Sequence, residues 1–120
     1  YIPVISSVGS DRNGETLNLN ADNVASAVAR YLESKKLIYL TDVDGLLIKN
    51  QLVSSLTYKE AEDLLLHPDI QGGMLPKLEC SMQAIKSGVQ SVHIINGSSE
   101  HAVLLEIFTN RGIGTMVPFE

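Results

Sequence analysis

Two amides and a carboxylate lie close together in the stretch Asn18-Leu19-Asn20-Ala21-Asp22, directly before a segment with helical periodicity. The apolar residues that follow are spaced as on one face of a helix, so the pattern places these polar groups at its first turn. Asn18 and Asn20 are neutral hydrogen-bonding groups, and Asp22 can orient an ammonium group. The same residue types also cap helices, and composition alone favours capping by Asn20 and Asp22 over catalysis.

A second stretch that offers chemistry is Gly72-Gly73-Met74-Leu75-Pro76-Lys77. Its small residues would let backbone amides approach a phosphate group, and Lys77 follows one helical turn later. The stretch is not a Walker loop, which needs a different spacing and a serine or threonine after the lysine. A glycine linker followed by a solvated lysine is an equally good interpretation.

The third stretch is Thr41-Asp42-Val43-Asp44-Gly45, which follows the apolar run 37–40. That run predicts a buried strand, and loops at the carboxyl ends of strands are where open α/β sheets bind ligands. A plain turn between strands is the alternative. A calcium site is less favoured than a turn, because the regularly spaced acidic ligands of an EF-hand are missing.

Alternating strand and helix patterns must position these stretches. Strands are predicted at 2–8, 37–40, 91–95 and 115–118, with a hairpin turn at 11–14 and a second hairpin at 46–53. Helices are predicted from 22 to 33 with Lys35 and Lys36 at its end, from a Thr57–Glu60 capping box to 65, from 74 to Gly88, and after Ser98 as a cap. This order predicts an α/β fold with an open, mostly parallel sheet between helices.

Length and composition, with 44% hydrophobic and 19% charged residues, favour one domain covering residues 1–120 or part of a larger one. A net charge of −5 argues against a nucleic-acid partner, and there is no apolar run long enough to predict a membrane partner. The lone Cys80 cannot form an internal disulfide and suits a cytoplasmic location. The chain opens within an apolar run and without methionine, which we interpret as a sign that it is a fragment.

Taken together, these segments closely resemble the C-terminal half of the acetylglutamate kinases, a branch of the amino acid kinase family. The resemblance is carried by residues 3–9, 18–22, 40–45, 72–77, 106–109 and 112–115, in this order and spacing. It implies ATP-dependent phosphorylation of the side-chain carboxylate of N-acetyl-L-glutamate, a step of arginine biosynthesis. It also implies that this chain is the ATP-binding half, that the substrate-binding N-terminal half is absent, and that the chain is inactive alone.

The resemblance assigns roles to individual residues. Asp22 and Lys77 are implied to be catalytic, and Asn18 and Asn20 to bind the substrate. ATP is implied to contact Thr41, Asp42, Val43, Asp44, Gly45, Leu46, Asp69, Ile70, Gln71, Gly73 and Met74. Mg²⁺ is expected to be bound through the ATP phosphates, with no metal site made by the protein.

The last part of the chain resembles the arginine-inhibited members of that branch, in which the final helix and a glycine loop help to form an effector site. His93, Glu106 and Gly112 are the candidate contacts for L-arginine. Glu106 can pair with a guanidinium in forked geometry. The alternative is that Glu106 is a solvated helix residue and the glycines are a helix C-cap. The arginine-sensitive members form hexamers, so a homo-oligomer is expected.

Two other functions stay open at this point. One is a regulatory module that binds a nucleotide or an amino acid without catalysis. The other is a related kinase acting on a different acid, such as aspartate, glutamate or carbamate.

Overall fold

The computed structural model describes residues 1–109 and 112–119. In chain order the elements are β1 (Val8–Ser10), β2 (Thr16–Asn18), α1 (Ala21–Tyr31), β3 (Lys36–Thr41), β4 (Leu47–Ile48), β5 (Gln51–Leu52), α2 (Tyr58–Leu64), α3 (Met74–Lys86), β6 (Ser91–Asn96), α4 (Ala102–Phe108) and β7 (Thr115–Pro118). The predicted α/β fold is confirmed.

A sheet of three strands, in the order β3-β6-β7, forms the centre of the fold. β3 and β6 are parallel, whereas β7 runs antiparallel to β6. Strand β6 is about 20 Å long, while the seven residues of α4 span only about 10 Å. The short helix therefore does not carry the chain back to the start of β6. Strand β7 begins beside Ile94, near the C-terminal end of β6, and runs antiparallel to it.

The two faces of this sheet are covered by different helices. Leu37, Val92 and Val117 lie side by side on one face and belong to the hydrophobic core that also contains residues of α1 and α3. Side chains alternate between the faces of a strand, so His93 points to the opposite face. There His93 contacts Glu106 of α4.

The beginning of the chain departs from the sequence prediction. The strand predicted at 2–8 is wrong, since regular structure starts only at β1, which pairs with β2 as a hairpin. Ile2 and Val4 are 93% and 95% exposed. An apolar run becomes a strand only where a neighbour pairs with it, and Pro3 has no N–H to offer to such a ladder.

Local capping and turn signals are mostly confirmed. The carboxylate of Asp11 accepts bonds from the backbone of Asn13 and Glu15 in the first hairpin turn, and Thr57 forms its capping box with Glu60. The prediction that Ser98 caps a helix is wrong, because α4 begins at Ala102 after His101, whose φ is 59°.

The end of α1 also differs from the prediction. Arg30 is the basic residue in the last turn of this helix, and Lys36 belongs to β3. Lys35 lies between the two elements, so neither lysine of the predicted basic pair closes α1.

Candidate functional site

The first turns of α1 and α3 meet through an ion pair. Oδ2 of Asp22 lies 3.0 Å from Nζ of Lys77, and the two side chains are 18% and 17% exposed. Asn20 is the N-cap of α1 and accepts a hydrogen bond from the backbone N–H of Asn23. The capping interpretation of Asn20 is thus confirmed, while Asp22 has a partner 55 residues away that no capping role requires.

Further polar contacts hold the two helices and the sheet together beside this pair. The thiol of Cys80 donates to Oδ1 of Asn23 at 2.9 Å, and the Ser26 hydroxyl donates to the Cys80 carbonyl at 3.1 Å. The Tyr39 hydroxyl of β3 donates to the backbone carbonyl of Asp22 at 3.2 Å. Burial, assisted by the nearby charge of Asp22, raises the pKa of the Cys80 thiol, so this group stays protonated and able to donate.

The start of α3 is open to an incoming group. Gly73 occupies its N-cap position without any side-chain cap, and Gly72 has a φ of 57°. A Cβ added at either glycine would meet no atom within 4 Å. Of the first-turn residues of α3, Met74 donates its N–H to the Gln71 carbonyl at 3.3 Å and Pro76 has no N–H. The open space beside the two glycines lies one turn before Lys77, a position suited to an anion. Asn18 ends β2 with its side chain exposed, two residues before the α1 cap.

The loop that follows β3 is fixed at both ends. Gly97 donates its N–H to the carbonyl of Thr41 at 2.8 Å, and the side-chain amide of Asn96 donates to Asp44 at 2.9 Å. Asn96 is the last residue of β6, the neighbouring parallel strand, so the carboxyl ends of both strands contribute to this edge of the sheet. Sequence reasoning missed Asn96, although its place after a predicted strand was a usable signal.

Thr115 anchors the far end of the same loop. Its hydroxyl accepts from the N–H of Leu46 at 2.8 Å and donates to the carbonyl of Val53 at 2.6 Å. Gly45 has a φ of 145°, and a Cβ there would lie 2.8 Å from the Thr115 hydroxyl oxygen. No short-range pattern pointed to Thr115, because its partners are 62 and 69 residues away in sequence.

Residues 69–71, the second segment predicted to contact the nucleotide, border a hollow beside the β4–β5 hairpin. Asp69 accepts a hydrogen bond from the backbone N–H of Lys49 at 2.8 Å. The hollow has a volume of about 480 Å³ and is lined by Leu47, Lys49, Asn50, Pro68, Asp69 and Gln71. Ile70 and Leu46 are 5% and 0% exposed and their side chains belong to the core, so only their backbone atoms can face a ligand.

A separate cavity of about 210 Å³ lies between β6, β7 and α4. It contains the candidate effector residues His93, Glu106 and Gly112, and it adds Lys36 and Ser54, which sequence reasoning missed. Nδ1 of His93 lies 2.5 Å from a Glu106 oxygen. The Glu106 side chain is 7% exposed, so its interpretation as a solvated helix residue is wrong.

The electrostatics of this cavity are dominated by burial. Burial lowers the pKa of His93 below its ordinary value, with Glu106 opposing the shift and Lys36 adding to it. The C-cap of α4 is Thr109, so the glycines that follow are not its cap. The second oxygen of Glu106 accepts from the N–H of Ile113 at 3.3 Å, which ties the glycine segment to the helix.

The predicted residues therefore fall into three places: the Asp22–Lys77 pair, the sheet edge with its adjoining hollow, and the cavity behind α4. Across residues 1–109 and 112–119, no three His, Cys, Asp or Glu side chains cluster closely enough to hold a metal ion. In the same residues, no helix has the length and apolar character needed to cross a membrane.

The chain is similar to known proteins over most of its length. Residues 1–96 match the amino acid kinase family. Acetylglutamate kinases from Kosmotoga olearia and Desulforamulus reducens are 54% and 52% identical, each over 98% of this chain. The chain spans only 42% of the length of either relative. Among solved structures, an N-acetylglutamate synthase from Neisseria gonorrhoeae, complexed with coenzyme A and L-arginine, superposes with a TM-score of 0.89 and 32% identity, over 97% of this chain and 27% of that one.

Proposed function

We propose, from the premise that this chain belongs to the amino acid kinase family, that residues 1–120 are the nucleotide-binding half of an acetylglutamate kinase. The reaction is transfer of a phosphoryl group from ATP to the side-chain carboxylate of N-acetyl-L-glutamate, a step of arginine biosynthesis. The observation that carries the proposal is the Asp22–Lys77 pair beside the open N-terminus of α3. The identity of 54% to a protein named acetylglutamate kinase supports the choice of substrate.

The chemistry required at such a site is positioning and charge neutralisation. The attacking carboxylate is already deprotonated at neutral pH, so no general base is needed. Two anions must approach each other, and a cation aimed at the transferring phosphoryl group lowers that barrier. We assign this role to Lys77, with Asp22 holding the ammonium in place at 3.0 Å. Asn18 and Asn20 are assigned to the substrate.

For the nucleotide we assign two surfaces. The backbone and polar groups of Thr41, Asp42, Val43, Asp44, Gly45 and Leu46 form the first, and Asp69, Ile70, Gln71, Gly73 and Met74 form the second. The glycine-flanked N-terminus of α3, which has no side-chain cap, is suited to the phosphates. Mg²⁺ would arrive on the ATP phosphates, where it would neutralise charge.

A segment exchange tests this function. Residues 1–120 would replace the matching segment of the Kosmotoga olearia relative, and acylphosphate formed from ATP and N-acetyl-L-glutamate would be captured as the hydroxamate. We expect activity in this chimaera, its loss on Lys77→Ala, and none in the 120-residue chain alone. The same exchange with the segment of the Desulforamulus reducens relative, which is also named acetylglutamate kinase, is the control. An inactive chimaera beside an active control would refute the proposal.

The same assay separates the alternatives. Turnover of aspartate, glutamate or carbamate in preference to N-acetyl-L-glutamate would identify a related kinase. Binding of ATP without turnover of any of these acids would identify a regulatory module.

The cavity behind α4 supports a second function, binding of L-arginine as an effector. It holds a buried carboxylate, Glu106, able to pair with a guanidinium, and the 32% identical synthase was solved with L-arginine. Calorimetry on the 120-residue chain should detect L-arginine but not L-citrulline, its neutral isostere. Binding should disappear in Glu106→Gln. Equal binding of both ligands, or none, would refute this assignment.

Location and assembly follow from the same proposal. A buried free thiol at Cys80 suits the reducing cytoplasm. The exposed apolar side chains of α4, among them Leu104 and Phe108 at 54% and 78%, suit a homo-oligomer. Light scattering on the full-length protein that carries this sequence would measure its assembly, and a monomer at micromolar concentration would exclude a stable homo-oligomer.

A further inference from the structure

The contact between Asn23 and Cys80 lies directly beside the proposed catalytic pair. Asn23 follows Asp22 on α1, and Cys80 follows Lys77 by about one turn of α3. The thiol-to-amide distance is 2.9 Å, and the Asp22–Lys77 distance is 3.0 Å. Two neighbouring residues of one helix are therefore joined to two residues of one face of the other.

Two contacts to α3 restrain α1 in a way that one contact does not. With the ion pair alone, the flexible lysine side chain could follow Asp22 through a change in helix spacing. The cysteine side chain has a single χ angle and is 3% exposed, so it has no comparable freedom. The hydrogen bond from Ser26 to the Cys80 carbonyl restrains the same turn of α3 through its backbone.

We propose that Asn23 and Cys80 are positioning residues, which set the spacing of the α1 and α3 N-termini and so aim Lys77 at the transferring phosphoryl group. This inference rests on the proposed kinase function, in which Lys77 touches that group. Neither Asn23 nor Cys80 needs to touch a substrate. They act by fixing the backbone on which the ion pair is built.

The position of Lys77 matters because transfer rates are sensitive to small displacements. A misplacement of about 1 Å can cost about 10²-fold in rate. Loss of the Asn23–Cys80 contact leaves the ion pair itself in place, so we expect a smaller loss in kcat, roughly tenfold. The KM for ATP should stay within about twofold, since the interaction is used in the transition state.

The test uses the full-length protein that carries this sequence, with Cys80→Ala, Asn23→Ala and Cys80→Ser. Serine keeps a donor at the position and should restore kcat to within about twofold of the parent. Asn23 is exposed, so Asn23→Ala reports on the contact even if the core variant Cys80→Ala folds poorly. Met82→Ala is the structural control, because Met82 is a buried residue of α3 and should lower the melting temperature without lowering kcat.

A double-mutant cycle with Lys77→Ala separates positioning from general destabilisation. If Asn23 and Cys80 act through Lys77, neither alanine variant lowers kcat further once Lys77 is gone. The inference is overturned if Asn23→Ala and Cys80→Ala keep the parent kcat, or if they lower it equally with and without Lys77. If Lys77→Ala itself leaves kcat unchanged, it is the proposed function of the ion pair that fails.

Discussion

The charge on Asp22 should matter more for turnover than for folding. Asp22→Asn keeps the size of the side chain and removes the charge that faces Lys77 at 3.0 Å. At an effective dielectric constant of about 20, the gross attraction at this distance is about 5.5 kcal/mol. Because both side chains are mostly withdrawn from water, their lost hydration cancels much of it. We expect a net destabilisation of about 1–3 kcal/mol, between a surface pair and a buried one.

The kinetic effect should be larger. Without the carboxylate, the Lys77 ammonium is free to leave the position in which it would meet the phosphoryl group. Removal of one preorganised charge-stabilising group typically lowers kcat by about 10²-fold, or about 2.7 kcal/mol. The helices should stay docked, because the contacts from Cys80 to Asn23 and from Ser26 to Cys80 do not involve the Asp22 carboxylate.

The assay is steady-state acylphosphate formation by the full-length protein, captured as hydroxamate, with thermal melting of the same samples. Asp11→Asn is the matched control, because Asp11 accepts hydrogen bonds in the exposed turn between β1 and β2. It should leave kcat unchanged. The reasoning is refuted if Asp22→Asn keeps kcat within about threefold of the parent, or if a higher KM for ATP explains the whole loss.

Three further outcomes concern stability of the 120-residue chain, each measured by melting or urea unfolding. Burial lowers the pKa of His93 in the folded chain, so below the ordinary pKa of about 6.5 the unfolded chain binds a proton that the folded chain does not. The free energy of unfolding should therefore decrease as the pH is lowered below about 6.5, by up to about 1.4 kcal/mol per pH unit. His93→Gln should flatten that slope, and an unchanged slope would contradict the assignment to this residue. Gly114→Ala should cost about 1–3 kcal/mol, because its Cβ would run into the Ile94 carbonyl. Gly112→Ala, where a Cβ meets nothing within 4 Å, is its control, and equal melting of the two would disprove the clash. Thr57→Ala removes the capping box of α2 and should cost about 1 kcal/mol, whereas Thr57→Ser should cost little. Equal losses in the two would exclude the cap as the cause.

Features specified within a few residues could be predicted from the sequence. The cap at Asn20, the capping box at Thr57 and the helix beginning at Met74 all depend on short-range geometry, and all three are present. The buried strand before Thr41 was also predictable, because its apolar run identifies it. These local signals are enough to predict the α/β class and the first turn of the helix that contains Asp22.

Features that depend on distant partners could not be predicted. The run at 2–8 has strand composition, yet composition does not supply a neighbouring strand. The contacts of Thr115 and Asn96 join segments more than 50 residues apart, and no local pattern encodes them. Lys36 was misplaced because a basic residue near a helix end has the same local appearance whether it closes the helix or opens the next strand.

The Thr115 hydroxyl limits which substitutions the loop at 41–46 can tolerate. Valine has the same shape as threonine but would leave the Leu46 N–H and the Val53 carbonyl without this partner, whereas serine would keep both bonds. A Cβ at residue 45 would meet the same oxygen, the backbone nitrogen of Thr115 and the side chain of Leu52, and the φ of 145° itself disfavours any residue but glycine there. A selection for function on a library randomised at positions 45 and 115 should therefore recover glycine at 45 and threonine or serine at 115.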